Sequence, residues 1–228
     1  MPLGPRFVVD PQSVAEPASP PDPAERERVL TRTHWLGVAT NAGLAALKLV
    51  VGTLAGSRAL VADGVHSLSD VAMNAGAWIG WRWSVKPPDA DHHYGHGNGE
   101  ALTSLVVGLI IVAAGAGLVW TSLRGHSTVT ADALGALAVA TELVTIVAKL
   151  ILARITGRRG REYASSILVA VARDNAADVL TSALILIAIV GSIYGVAWLE
   201  PVAAGAIGLL IAWQGLRSAR EEIGRAHV

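Results

Sequence analysis

Six apolar stretches, each near the length a bilayer demands, constrain this chain more than any other feature. They lie at about 34–56, 59–83, 101–123, 131–154, 165–194 and 201–218. Crossing a hydrocarbon core about 30 Å thick takes about 20 apolar residues in a helix. Lipid offers no partner to backbone N–H and C=O groups, so an open strand edge is excluded and each stretch must be helical. The expected fold is all-α, a polytopic membrane protein with six transmembrane helices over residues 31–220. Stretches beyond about 25 residues imply tilt or protruding ends. Residues 1–30, with "PQSVAEPASPPDPAERER", are proline-rich and poor in apolar side chains, and read as a disordered tail. A charged start followed promptly by an apolar run, the mark of a signal peptide, is missing. Residues 221–228 read as a short second tail.

The basic residues orient the chain. Arg26, Arg28 and Arg32 precede the first stretch, and Arg82 and Lys86 follow the second. Arg154, Arg158, Arg159 and Arg161 follow the fourth, and Arg217, Arg220 and Arg225 follow the sixth. The alternate connections carry only Arg58 and Arg124. Basic residues mark the cytoplasmic side, so both termini are expected inside, in the plasma (inner) membrane of a bacterium. Trp35, Trp81, Trp83, Trp120 and Trp198 fall near the ends of stretches, where interfacial belts form. Trp78 and Trp213 lie deeper and are expected to pack. Glycines four apart, Gly52 with Gly56, Gly76 with Gly80 and Gly191 with Gly195, allow close helix approach. Zero net charge gives no polybasic logic for nucleic acid. The absence of cysteine leaves His, Asp, Glu and backbone oxygen as the available metal ligands.

Ionisable residues inside the stretches are the costly exception. The second holds Asp63, His66, Asp70 and Asn74; the fifth holds Asp174 and Asp178 within "ARDNAADVLTS". Positions four apart share a helix face, so His66 and Asp70 point together, as do Asp174 and Asp178. At about 1.5 Å per residue, His66 and Asp70 lie roughly 11 and 17 Å below the outer end of their helix. By the same rise, Asp174 and Asp178 lie roughly 14 and 20 Å from the inner end of theirs. All four therefore meet near mid-membrane. An Asp at a helix centre costs about 2.5–3.5 kcal/mol on the insertion scale. The stretches show no obvious matched cation, and Arg173 points away from its neighbour Asp174. A divalent cation would balance the excess, with four oxygen and imidazole ligands completing a tetrahedral shell. The alternative is a protonated or water-filled polar network that holds the bundle together.

These motifs resemble the cation diffusion facilitator family of metal transporters over about residues 30–220. "GSRALVADGVHSLSDV" is similar to its second-helix signature, "DADHHYGHGNGE" to its loop between helices two and three, and "VARDNAADVLTSA" to its fifth-helix signature. The resemblance implies a transport site of His66, Asp70, Asp174 and Asp178. It also implies a second, cytoplasmic metal site at Asp89, His92 and His96, with Asp91 and His93 as neighbouring alternatives. Many zinc members open both pairs with histidine; here Asp174 opens the second. Zinc is the first expectation, and one nitrogen with three oxygens also admits iron, manganese, cobalt or cadmium. Members typically carry a cytoplasmic carboxy-terminal domain. This chain resembles a member reduced to its membrane domain, expected to form a homodimer through its helices.

The expected activity is efflux of a divalent metal in exchange for protons, with no prosthetic group and no enzymatic step. Metal needs neutral imidazole and ionised carboxylates, so metal and protons compete for the same atoms. A passive cation channel and an intramembrane metal-dependent hydrolase are the rivals. The hydrolase would need an open metal position and a general base; HExxH is absent, and Glu142 of the fourth stretch reads as a structural or pathway residue.

Overall fold

The apolar runs become helices wherever caps and turns let them. The computed structural model describes residues 22–84, 99–124 and 129–225. It contains α1 (Pro23–Ala55), α2 (Arg58–Ser84), α3 (Gly99–Arg124), α4 (Ala133–Glu162), α5 (Ser166–Ile193) and α6 (Leu199–Arg225). No strand occurs among the described residues. Five of the helices are long and apolar enough to cross a membrane; α2 is outside that set. Its 27 residues would reach about 40 Å. What it lacks is hydropathy, because Asp63, His66, Ser67, Ser69, Asp70 and Asn74 interrupt the apolar run. Asp63, His66, Ser67 and Ser69 are buried inside the protein, away from lipid.

Three boundaries differ from the sequence reading, one of them the end of α6, which runs to Arg225, past its expected stop at 218 and into the expected second tail. Residues 23–30, expected in the tail, form the first two turns of α1. The Asp22 side chain accepts from Ala24 N–H at 3.1 Å and Pro23 occupies the first turn, a strong helix start. Those polar turns lean on the end of α4: Arg26 Nε donates to Tyr163 O (3.0 Å) and Tyr163 OH donates to Glu25 Oε1 (3.2 Å). At that same end α4 continues eight residues past its expected stop at 154, to Glu162. Arg159 and Arg161 in its last turn suit the negative end of the helix dipole. At the opposite end Asp132 caps α4, accepting from Gly135 N–H (2.9 Å) and Leu134 N–H (3.0 Å). The Gly135 bond, then the Thr130 hydroxyl, hold the Asp132 carboxyl below its ordinary range. The cap is therefore intact at neutral pH and weakens as pH falls through that lowered value.

Helices α1, α2, α5 and α4 form a ring, joined by the α1–α2, α1–α4, α4–α5 and looser α2–α5 contacts. Helices α3 and α6 make a second unit that packs on α2. Close approach depends on glycine at two seams. A methyl at Gly52 would lie 2.9 Å from Val61, and one at Gly64 would lie 2.9 Å from Leu49, so α1 and α2 nearly touch. On the second unit, a methyl at Gly115 would sit 2.6 Å from Gly208 O and Ala212 N; one at Gly215 would sit 2.7 Å from Gly108 O. The turn between α1 and α2 uses Gly56 at φ 65°, a left-handed cap. Next to it, Ser57 Oγ donates to Glu200 Oε1 of α6 at 2.7 Å, tying that turn to the second unit.

The deeper tryptophans do not pack inside. Trp78 and Trp213 are 50% and 57% exposed on the outer surface. Arg82 and Arg217, one turn on, reach over their rings at 5.6 and 5.8 Å. Such cation–π contacts let the arginine stem cover apolar surface while its head reaches the interface.

Candidate metal centre

The α1–α2 seam and the α4–α5 pair together set one polar layer across the ring. Helix α2 places His66 and Asp70 one turn apart, and α5 places Asp178 opposite them. One ligand atom from each of His66, Asp70 and Asp178 lies within 4.8 Å of the others. His66 Nε2 is 3.6 Å from Asp178 Oδ1. The other ring nitrogen, Nδ1, is buried without a hydrogen-bond partner. An imidazole and two carboxylates so close offer one nitrogen and several oxygens to a single cation.

Asp174 is not in this group. It lies one turn nearer the α5 N-terminus, with its side chain exposed. It shares the face of Asp178 and its charge acts on Asp70, Asp178 and Lys149, but it offers no ligand atom to the 4.8 Å group. Asp89, His92 and His96, with Asp91 and His93, lie outside the described residues.

The sequence reading found no cation to match the buried carboxylates, and this is corrected by two lysines. Lys149 of α4, 1% exposed, brings Nζ to 2.5 Å from Asp178 Oδ2. Lys48 of α1, also 1% exposed, brings Nζ to 2.5 Å from Asp63 Oδ2 and donates to Ser67 Oγ at 3.2 Å. The missed signal was depth. A lysine near a helix end can snorkel, but Lys48 sits mid-stretch and Lys149 too far in for its head to escape easily.

Asp63, another ionisable residue of the second stretch, lies on α2. It is enclosed between Lys48 and Ser182, whose Oγ donates to Asp63 Oδ2 at 3.3 Å. Breaking such a buried pair by removing one partner typically costs about 3–5 kcal/mol. The polar layer therefore has two storeys. His66, Asp70, Asp178 and Lys149 form one; Asp63, Lys48 and Ser182 form the other. Asp63 precedes His66 by three residues on α2 and Ser182 follows Asp178 by four on α5, so the storeys are about one helical turn apart.

The cation efflux transmembrane domain matches residues 34–224. Metal tolerance protein C1 of Arabidopsis thaliana is 31% identical over 203 residues, covering 82% of this chain and 43% of that protein. Manganese efflux system protein MneS of Bacillus subtilis is 34% identical over 168 residues, covering 74% of this chain and 58% of that protein. Magnetosome protein MamB of Magnetospira sp. is 31% identical over 182 residues, covering 80% and 62%. The chain thus spans about half the length of these relatives.

Proposed function

The chain belongs to the cation diffusion facilitator, or cation efflux, family of membrane transporters, and from that premise we propose that it exports a divalent metal from the cytoplasm in exchange for protons. The observation that carries this is the convergence of His66, Asp70 and Asp178, on two helices, within 4.8 Å. In the proposed cycle these three hold the metal, and Asp174, at the mouth of the layer, hands it in from the terminal side. That side faces the cytoplasm of a bacterial cell, and the working unit is a homodimer. Rocking of helix bundles then exposes the metal to the other face.

The donor set argues about the ion. Two carboxylates with one imidazole make a harder site than the nitrogen- and sulfur-rich centres that zinc favours. Two relatives bear manganese efflux names. We therefore assign the preference to manganese or iron over zinc. His66→Asp removes the only nitrogen and is expected to move manganese-over-zinc preference up by about tenfold. Competition between the two ions for uptake into vesicles checks it; an unchanged ratio would show that His66 does not touch the ion.

Lys149 gives the cycle its counter-ion. With its Nζ 2.5 Å from Asp178, the ammonium supplies the charge that a metal supplies in the loaded state. Metal must compete with it for Asp178. Lys149→Met removes that competitor and is expected to raise metal affinity by about tenfold or more, since a neighbouring unit charge at about 4 Å is worth several kcal/mol inside a protein. Titration calorimetry in detergent reads the change, and an unaltered affinity would place Lys149 clear of the metal.

The reading as a whole is tested by metal flux across reconstituted vesicles under an imposed pH gradient. Uphill accumulation that vanishes when the gradient is collapsed is the expected result. Flux that only ever runs downhill would make the protein a channel.

A further inference from the structure

The upper storey contains a carboxylate that the metal cycle does not use. Glu142 of α4 is fully buried, and neither of its side-chain oxygens has a hydrogen-bond partner. The charged groups facing it are Lys48 from α1 and Asp63 from α2. From α5 comes the Ser182 hydroxyl, with Asp178 one turn further toward the termini. Lys48 is already committed, at 2.5 Å to Asp63 and 3.2 Å to Ser67. The storey therefore holds one ammonium against two carboxyl groups. An ionised carboxylate buried without a protein donor is among the costliest arrangements a protein can hold, and such a group neutralises instead. Among the described residues the group able to hold a metal is His66, Asp70 and Asp178, and neither carboxyl group of this storey belongs to it.

We propose that Glu142 is a proton-binding site separate from the metal centre, a neutral carboxylic acid that stores the proton exchanged for metal. This rests on the antiport reading above and adds where one proton is kept. When the metal leaves, the proton passes from a Glu142 oxygen to a carboxylate or imidazole that the metal has released. Glu142 is then reprotonated from the far side of the membrane. One O–H bond breaks and one N–H or O–H bond forms at each transfer, and nothing else changes.

The test uses the full chain in vesicles loaded with manganese, with two readouts. The first is metal–metal exchange at equal pH, which needs no proton. The second is uphill accumulation driven by a pH gradient. Glu142→Gln keeps the shape of a neutral acid but cannot release a proton. It is expected to retain exchange within about twofold and to lose at least about tenfold of the driven accumulation. A metal-ligand lesion loses both, which separates the two roles. Driven accumulation by Glu142→Gln equal to that of the unaltered chain overturns the proposal. If the unaltered chain exchanges metal but never couples it to protons, it is the antiport reading that fails. Should the Gln variant not fold, Glu142→Asp serves. It keeps an acid at a shorter reach, so driven transport should persist with a displaced pH profile, and an unmoved profile counts against Glu142.

Discussion

In reconstituted vesicles, Asp70→Ala is expected to cut metal flux by at least about 100-fold while the protein still inserts and folds. Removing even an outer-shell partner of a metal ligand typically costs 10–100-fold, and a ligand costs more. Asp178→Ala should be equally silent in transport but worse folded, because it leaves Lys149 charged and unpaired with 1% exposure. Losing one partner of such a pair costs about 3–5 kcal/mol. The double variant Asp178→Leu with Lys149→Met removes both charges. It should regain the melting temperature in detergent and still carry no metal. Recovery of stability without transport separates the structural part of Asp178 from its place in the transport site. Normal flux through either single variant would remove that aspartate from the site.

The second large effect lies far from the polar layer. Gly115→Leu is expected to abolish correctly folded protein, read as loss of the monodisperse peak after extraction. A side chain there has no room, since even its first carbon would stand 2.6 Å from the α6 backbone at Gly208 and Ala212. Helices in lipid associate through packing rather than through a hydrophobic drive, so separating α3 from α6 forfeits most of what joins them. Gly117, two residues on, is the control. A methyl there meets nothing within 4 Å, and Gly117→Ala should be neutral.

What the sequence made legible follows from what each signal measures. Hydropathy and length locate helices, and all six appear where the apolar runs predict them. Four-residue spacing put His66 beside Asp70, depth along the helices put Asp178 at their level, and the three lie together. At Asp174 the same spacing rule gave the shared face, while the side chain stands outside the group of three, because a shared face does not set how far each turn lies from the opposite helix. The α3–α6 seam was missed for a related reason. Its glycines, Gly108 with Gly115 and Gly208 with Gly215, repeat every seven residues, whereas the search was for pairs four apart. Lys48 and Lys149 were overlooked although their depth along the apolar stretches could have flagged them. Only the fold shows that their heads turn inward to Asp63 and Asp178. The early start of α1 escaped because its first turns are held by contacts with Tyr163, a residue nearly 140 positions away.

Anomalous X-ray scattering at the manganese edge, from crystals of the protein soaked in manganese, tests the central assignment most directly. A single strong peak is predicted in the layer, within about 2.0–2.6 Å of a His66 ring nitrogen and of carboxylate oxygens from Asp70 and Asp178. Lys149 Nζ should have moved off Asp178 to admit it. A peak elsewhere in the membrane region, with Lys149 still closed on Asp178, would contradict the assignment.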